Sequence, residues 1–416
     1  MTTSRRPRKG EAFADERSGM PGPLPANASP RPLPKGWRWA RLGEVCEIIA
    51  GQSPPGETYR KWPEGLPFFQ GKADFGSRHP IARVWCVQPT KIALPGDILI
   101  SVRAPVGPTN VADIECCIGR GLAAIRPRNE ADRDFVLLAL KLYENELAQL
   151  GSGSTFAAIK RDQLEGFEIP LPPLLKQQRI AAVLNEQMAA VEKARAAAQA
   201  QLGAARALPA AYLREVFEGE EARGWERVRL GDLLTLRKEI IHPYDNPSGP
   251  AVFVGLEHIE SGTGARAGKL EVEMSQLTGR KPKFYKGDIV YGYLRPYLNK
   301  VWVAEFDGLC SVDQYVYSVL AERAETDFIA WFMRSATYLN RAPITTTPGQ
   351  LPRIRTEEVA SVEINLPPLP MQRRILARLG DQLTQAQKTS AALEAQLAAI
   401  EQLPGALLRR AFAGEL

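Results

Sequence analysis

Three histidines, His79, His242 and His258, lie far apart in the chain, none within an HExxH pair, and no serine sits in GxSxG. General acid–base and nucleophilic catalysis need such groups at set spacings, so each histidine reads as a surface or core residue. GSGST at 151–155 has the glycines of a phosphate loop without its Lys. GTGARAG at 262–268 has the wrong spacing for a dinucleotide loop, and both segments read as turns. A base methyltransferase needs a cofactor loop and a proline-containing tetrad with an aromatic; SPPG at 53–56 and LPPL at 171–174 lack the aromatic. No convergent carboxylates signal a nuclease. Cys46, Cys86, Cys116, Cys117 and Cys310 form no CxxC pair, and the adjacent Cys116 and Cys117 cannot easily clamp one metal. Buried free thiols are expected, with no disulfide framework, no metal site and no catalytic residue.

What remains is the chemistry of recognition. Reading base edges favours Arg, Lys, Asn and Gln, and phosphate contacts add Ser and Thr. FFQGKADFG at 68–76 offers Gln70 and Lys72 in a glycine-flanked loop. SVRAP at 101–105 places Arg103 just past a strand, and YLRPY at 293–297 places Arg295 equivalently. GSTFAAIKR at 153–161 offers Ser154, Thr155, Lys160 and Arg161; its counterpart TPGQLPRIR at 347–355 offers Gln350, Arg353 and Arg355. Singly, each is accounted for as a solvated surface group. Matched positions in two halves single out Arg103 with Arg295 and Lys160 with Arg355, which shared framework ion pairs would equally explain.

Bulk charge does not decide between those explanations. The net charge is +6, but residues 1–35 hold seven Lys/Arg and three Asp/Glu, leaving +2 for the other 381 residues. That leader is rich in Pro, Gly, Ala and Arg without apolar periodicity, so it reads as a disordered basic extension. No run approaches the roughly 20 apolar residues of a membrane span. The start MTTSRRPRKGEAF lacks the apolar stretch of a secretory signal, and a cytoplasmic location is expected.

The elements that must position these residues come from an internal repeat. GWRWARLGEV at 36–45 returns as GWERVRLGDL at 224–233, and GDILISVRAPVG at 96–107 as GDIVYGYLRPYL at 287–298. IPLPPLLKQQRI at 169–180 returns as INLPPLPMQRRI at 364–375, and ALPAAYLREVFEGE at 207–220 as QLPGALLRRAFAGE at 402–415. Four matches in one order, with offsets of 188 to 195, mark a tandem duplication. Short β-branched runs (97–102, 84–88, 251–256 and 316–320) predict strands. The spacing over 132–150 and 325–339 predicts helices. The fold class expected is therefore α/β: two tandem-duplicated α/β domains separated by two long helices.

Leu-Pro-Pro at 171–173 and 366–368 stops a strand and opens each long helix. Apart from Pro370 in the first turn of the second, residues 174–202 and 369–402 are proline-free and rich in helix formers. Leu379, Leu383, Ala386, Ser390, Leu393, Leu397 and Ile400 trace a heptad seam. Shifted by 195, it becomes Leu184, Met188, Val191, Arg195, Ala198, Leu202 and Ala205, with Arg195 the one offence. Matching seams in one chain most simply pack on each other, antiparallel about a pseudo-two-fold axis. About 30 helical residues span roughly 45 Å, and DNA repeats every roughly 34–36 Å. Expected boundaries are a leader at 1–35, a first recognition domain at 36–173, a central helical spacer at 174–223, a second recognition domain at 224–368 and a C-terminal helical spacer at 369–416.

The repeated blocks, with CIGRGLAAI at 117–125 and the closing LLRRAFAGEL at 407–416, resemble the specificity subunit of type I restriction-modification systems over about residues 36–416. LPPL followed by Q-R-I and a long helix, twice, is the most specific part. The resemblance implies two target recognition domains joined by antiparallel coiled-coil helices, each reading one half of a split double-stranded DNA target. It implies docking of two modification subunits, which carry S-adenosylmethionine and methylate adenine N6, and of ATP- and Mg-dependent translocase-nuclease restriction subunits. It implies no cofactor and no catalysis in this chain. Recognition domains vary within the family, so no base contact carries over. The leader and Arg195 depart from the pattern. Three other readings compete: an orphan reader without partners, a coiled-coil scaffold, and a catalytic subunit with unrecognised motifs. Neighbouring genes, sequence-selective binding and activity of the chain alone separate them.

Overall fold

The computed structural model describes residues 32–151, 158–245, 247–344 and 351–416, so residues 1–31 of the expected leader lie outside the described residues. The chain forms two compact units, Met1–Arg195 with Ala398–Leu416, and Ala196–Leu397.

The repeat blocks meet in space within each unit. In the first, strand Arg38–Arg41 runs antiparallel to Glu168–Leu171, so the opening block is closed by the strand that precedes the long helix. In the second, Glu226–Arg229 pairs with Glu363–Leu366 in the same way. A four-stranded antiparallel sheet follows in each: Cys46–Ala50, Leu122–Pro127, Ile98–Ser101 and Thr109–Val111 in one, and Leu234–Leu236, Gln314–Val319, Ile289–Gly292 and Val301–Val303 in the other. The GDI block supplies one middle strand of each sheet. It is entered through a turn that needs positive φ, which Gly96 (93°) and Gly287 (88°) adopt without a Cβ clash. A five-stranded sheet completes each unit and holds a parallel pair, Leu66–Phe69 with Cys116–Ile118 and Pro250–Val254 with Gly308–Cys310. The expected α/β class and duplicated grammar are thus present, matching strand for strand in the paired strands and the four-stranded sheets, while the outer strands of the five-stranded sheets are arranged differently around the shared parallel pair.

The two mid-domain helices are each broken once. Over 132–150 the helix Arg133–Leu142 is capped by Asp132, whose carboxylate accepts the Phe135 N–H at 2.9 Å, and a second helix runs Glu144–Leu150. Over 325–339 the break falls at Ser335, whose Oγ accepts the Tyr338 N–H at 3.2 Å and starts Ala336–Arg341. A serine hydroxyl competes for backbone donors that a continuous helix would use, a local effect that apolar spacing does not register.

The long helices run Leu174–Glu218 and Leu369–Phe412, 45 and 44 residues. They pass through Pro209 and Pro404 and so extend well beyond the proline-free tracts, to roughly 67 Å at 1.5 Å per residue. An interior proline costs about 3 kcal/mol. Beyond each proline lie apolar residues that the packing buries, Leu213, Val216 and Phe217 in one helix and Leu408, Ala411 and Phe412 in the other. Every expected seam position except Arg195 is buried or half-buried. Arg195 is exposed and paired with Glu192 one turn back at 3.1 Å, so it leaves the seam unbroken by a buried charge. In the second unit Arg206 donates to Glu394 at 2.7 Å, and Leu213 and Phe217 share a core with Ile375 and Leu379, so the helices there run antiparallel. In the first unit Ile180 and Leu184 share a core with Leu408 and Phe412.

One side chain attaches each long helix to its domain. Gln177 and Gln372 are fully buried. Gln177 Oε1 accepts the Asp132 N–H at 2.8 Å, while Nε2 donates to the carbonyls of Glu130 (2.9 Å) and Pro172 (2.8 Å). Gln372 repeats the set with Glu325 N–H (2.8 Å) and the carbonyls of Arg323 (3.0 Å) and Pro367 (2.8 Å). The glutamine common to LPPLLKQ and LPPLPMQ is therefore a packing requirement. Gln372→Leu would orphan one buried donor and two acceptors and is expected to destabilise its unit by about 2–3 kcal/mol, read as a lower urea midpoint; an unchanged midpoint would refute the role.

All five cysteines are buried and free, as expected from their spacing. Burial pushes the Cys46, Cys116 and Cys310 thiols up to about 12, which keeps them neutral and poorly nucleophilic at pH 8. Alkylation at pH 8 followed by intact mass is expected to label none of these three in the native chain and all five in denaturant.

Candidate nucleic-acid interface

In the first unit, three loops at one end of the sheets meet around a shallow cavity of about 180 Å³. The first loop leaves strand Leu66–Phe69 at Gln70, where Asp74 Oδ2 accepts the N–H groups of Gln70 (2.7 Å) and Gly71 (3.3 Å) and turns the chain into Lys72. The second is Gly119-Arg120-Gly121, between strands Cys116–Ile118 and Leu122–Pro127. A Cβ on Gly121 would lie 2.2 Å from the Gln70 carbonyl oxygen, and one on Gly51 would lie 2.2 Å from that of Gly119. Only glycine permits these approaches, and they lock Arg120 beside Gln70. The Arg120 N–H donates to Ser53 Oγ at 3.3 Å. The third loop follows Ile98–Ser101: Ser101 Oγ donates to the Arg103 carbonyl at 3.0 Å, and Arg103 forms a bridge with Ala158.

The cavity is lined by Ser53, Gln70, Lys72, Ser101, Arg103 and Arg120 among others. A second depression, about 110 Å³, shares Arg120 and reaches Lys160 and Arg161. Arg120 therefore connects all the expected first-domain cations, and sequence reasoning missed it. Its signal was present: a basic residue between two glycines. No carboxylate among the described residues lies within 4 Å of Lys72, Arg103, Arg120 or Lys160. Arg161, by contrast, is bound at 2.7 Å by Glu165 one turn along its own helix. Ser154 and Thr155 lie outside the described residues.

In the second unit Arg295 is exposed and left-handed (φ 50°, ψ 62°), an uncommon conformation for a residue with a Cβ. Its N–H donates to the Pro352 carbonyl at 2.7 Å, and Leu294 bridges Arg353, so the structure sets Arg295 and Arg353 on adjacent segments. Arg355 opens helix Thr356–Ser361 and donates its N–H to Glu358 at 2.7 Å; Lys160 opens Arg161–Glu165 and donates its N–H to Gln163 at 2.9 Å. That matched pair thus occupies one cap position in both units. Gln350 lies outside the described residues.

Framework ion pairs do exist, on other arginines. Asp97 and Asp288 hold equivalent positions in the GD blocks and are nearly buried. Arg126 clasps Asp97 with two bonds of 2.9 and 2.8 Å, and Arg237 clasps Asp288 with two of 2.8 and 2.9 Å. Arg103 and Arg295 have no such partner among the described residues. The second unit also carries what the first lacks at matching strand positions: Tyr293 and Tyr315 stack with centroids 4.3 Å apart where the first unit has Val102 and Ala123. Burial raises both phenols, Tyr315 to about 12, so both stay neutral hydrogen-bonding groups. Arg280 and Arg353 lie close enough to oppose the shift at Tyr293. Among the described residues no group of three or more His, Cys, Asp or Glu is arranged to hold a metal, and no helix is long and apolar enough to cross a membrane.

Residues 34–198 match the type I restriction modification DNA specificity domain. The chain is 45% identical over 152 residues to the MjaX specificity subunit of Methanocaldococcus jannaschii, a match that spans only 36% of either chain. It is 23% identical to the EcoDI type I restriction enzyme specificity subunit of Escherichia coli, over 92% of this chain and 89% of that one. Among solved structures it is 54% identical to the HsdS subunit from Thermoanaerobacter tengcongensis, over 41% of this chain and 42% of that one, with a TM-score of 0.36. The resemblance carried by the repeated blocks is met as a similarity: residues 34–198 match that family's DNA specificity domain, and over 92% of its length the chain is similar, at 23% identity, to a type I restriction enzyme specificity subunit.

The placement of the cations ranks them. Arg120→Ala is expected to weaken binding of target duplex by about tenfold or more at fixed salt, the value of a lost base contact. Arg161→Ala, whose guanidinium already sits on Glu165, is expected to change it less than about threefold. Equal losses in a fluorescence titration would sink the ranking.

Proposed function

We propose that this chain, as a type I restriction-modification specificity subunit, reads a bipartite double-stranded DNA target, one half-site per domain, and docks the catalytic partners. The observation that carries the reading is the duplication itself: one domain grammar appears twice, and each copy ends in a long helix latched to it by the same glutamine. A split target needs two readers and a spacer. The loop cluster of the first unit adds cations that no carboxylate among the described residues neutralises, together with Gln70 and serine hydroxyls. Unneutralised cations attract phosphates, and their guanidinium and amide groups suit base edges.

In this reading the chain supplies no reaction chemistry. Two modification subunits bring S-adenosylmethionine and methylate adenine, and restriction subunits bring ATP and Mg-dependent translocation and cleavage. The long helices set the distance between the two readings. The purified chain alone is expected neither to methylate nor to cut DNA.

Sequencing the methylated sites of cells carrying the system tests the reading. A split motif with a fixed non-specific spacer is expected, and contiguous or absent motifs would refute it. Inserting four residues near Gln199, about one helical turn, is expected to lengthen the spacer and leave both half-sites unchanged. Arg295→Ala is expected to relax only the half-site read by the second domain; relaxation of the other half-site would overturn that assignment.

A further inference from the structure

The second unit holds a concavity of about 160 Å³ whose chemistry differs from the cation cluster of the first. Two of its walls are carbon presented to solvent: Ile240 is 43% and Val312 40% exposed. Arg280 and Gln314 line it as well, beside Tyr315. Gln314 is 2% exposed; its Oε1 accepts the Ser311 N–H at 2.9 Å, while its Nε2 has no partner among the described residues. Turning the amide over would set Nε2 against that N–H, donor against donor, so the free end is the donor. A buried donor without an acceptor destabilises the fold until a ligand supplies one. Arg280 is exposed, with no carboxylate partner among the described residues. Arg237 also reaches the wall, but Asp288 holds it in two bonds. The free side-chain ends are thus donors, set against an apolar rim.

We propose that this concavity reads a thymine on the major-groove edge of the half-site bound by the second unit, an inference that rests on the DNA-reading function proposed above. Among the four bases, thymine alone sets an acceptor, O4, beside a methyl group on that edge. Guanine sets two acceptors and no methyl, adenine an acceptor beside a donor, and cytosine a donor. Arg280 and Gln314 supply donors for O4, and Ile240 and Val312 receive the methyl. The first unit's cavity, with Ser53, Gln70, Lys72, Arg103 and Arg120 and no large apolar residue, is suited instead to acceptor-rich edges.

The test uses the full chain assembled with its methyltransferase subunit. The complex selects its target from random duplexes, and each thymine of that target is then replaced singly by deoxyuridine, which removes only the C5 methyl. At one thymine the replacement is expected to weaken binding about fourfold, the value of one buried methyl. The double variant Ile240→Ala with Val312→Ala is expected to bind thymine and uracil alike at that position. Both side chains face solvent, and an unchanged melting temperature checks that the variant is folded. A target in which no thymine behaves this way overturns the proposal and leaves DNA reading intact, as does a double variant that still distinguishes the two bases there. A complex that selects no sequence overturns the DNA-reading function and this proposal with it.

Discussion

A carboxamide buried at the start of each long helix holds the molecule's logic together. Gln177 and Gln372 each bond one backbone donor and two backbone carbonyls, drawn from the mid-domain helix entry and from the Pro-Pro corner. Glutamine is one of the few side chains that can accept and donate at once through a planar end. Inside protein, unmade bonds of this kind are expensive, so the long helix leaves its domain at one angle rather than several.

Around this latch the duplication has kept its framework and changed its surfaces. The paired strands, the glycine turn into the GD strand and the aspartate clasped by an arginine occur in both units. The clasping arginine differs in origin: Arg126 comes from the strand Leu122–Pro127, whereas Arg237 follows the strand Leu234–Leu236. The buried carboxylate demands a partner, and an arginine from the adjacent strand or from the end of the strand beyond it satisfies it. The exposed loops carry no such demand. There the first unit presents cations unpaired among the described residues, and the second presents stacked tyrosines and exposed aliphatic carbon.

The candidate site was legible only in part. Arg103 and Arg295 stood out because the repeat places them past equivalent strands, but the structure sets them one residue out of register: Leu294, not Arg295, makes the bridge to Arg353 that Arg103 makes to Ala158. Both arginines are free of carboxylates among the described residues. Lys160 and Arg355 likewise share a cap position. Arg161 looked equivalent in kind, but its neighbour Glu165 lies one helical turn away, a pairing visible only once that short stretch is known to be helical. Arg120 went unnoticed because its role depends on contacts with Gln70 and Ser53, 50 and 67 residues earlier in the chain.

The amino-acid sequence by itself determined the duplication, the α/β class, the start of each long helix and the seam along it. These follow from local signals: proline geometry, residue propensity and periodic apolar spacing act between near neighbours or recur in register. The breaks at Tyr143 and Ser335, the continuation of both long helices through proline, and the choice of which cations remain unpaired were decided by tertiary structure. Each is a competition between a local preference and a partner distant in sequence. Burial of Leu213 and Phe217 lies beyond Pro209, and the close approach of Gly121 to Gln70 places Arg120. Such outcomes turn on a few kcal/mol of packing and hydrogen bonding that exist only after the chain has folded.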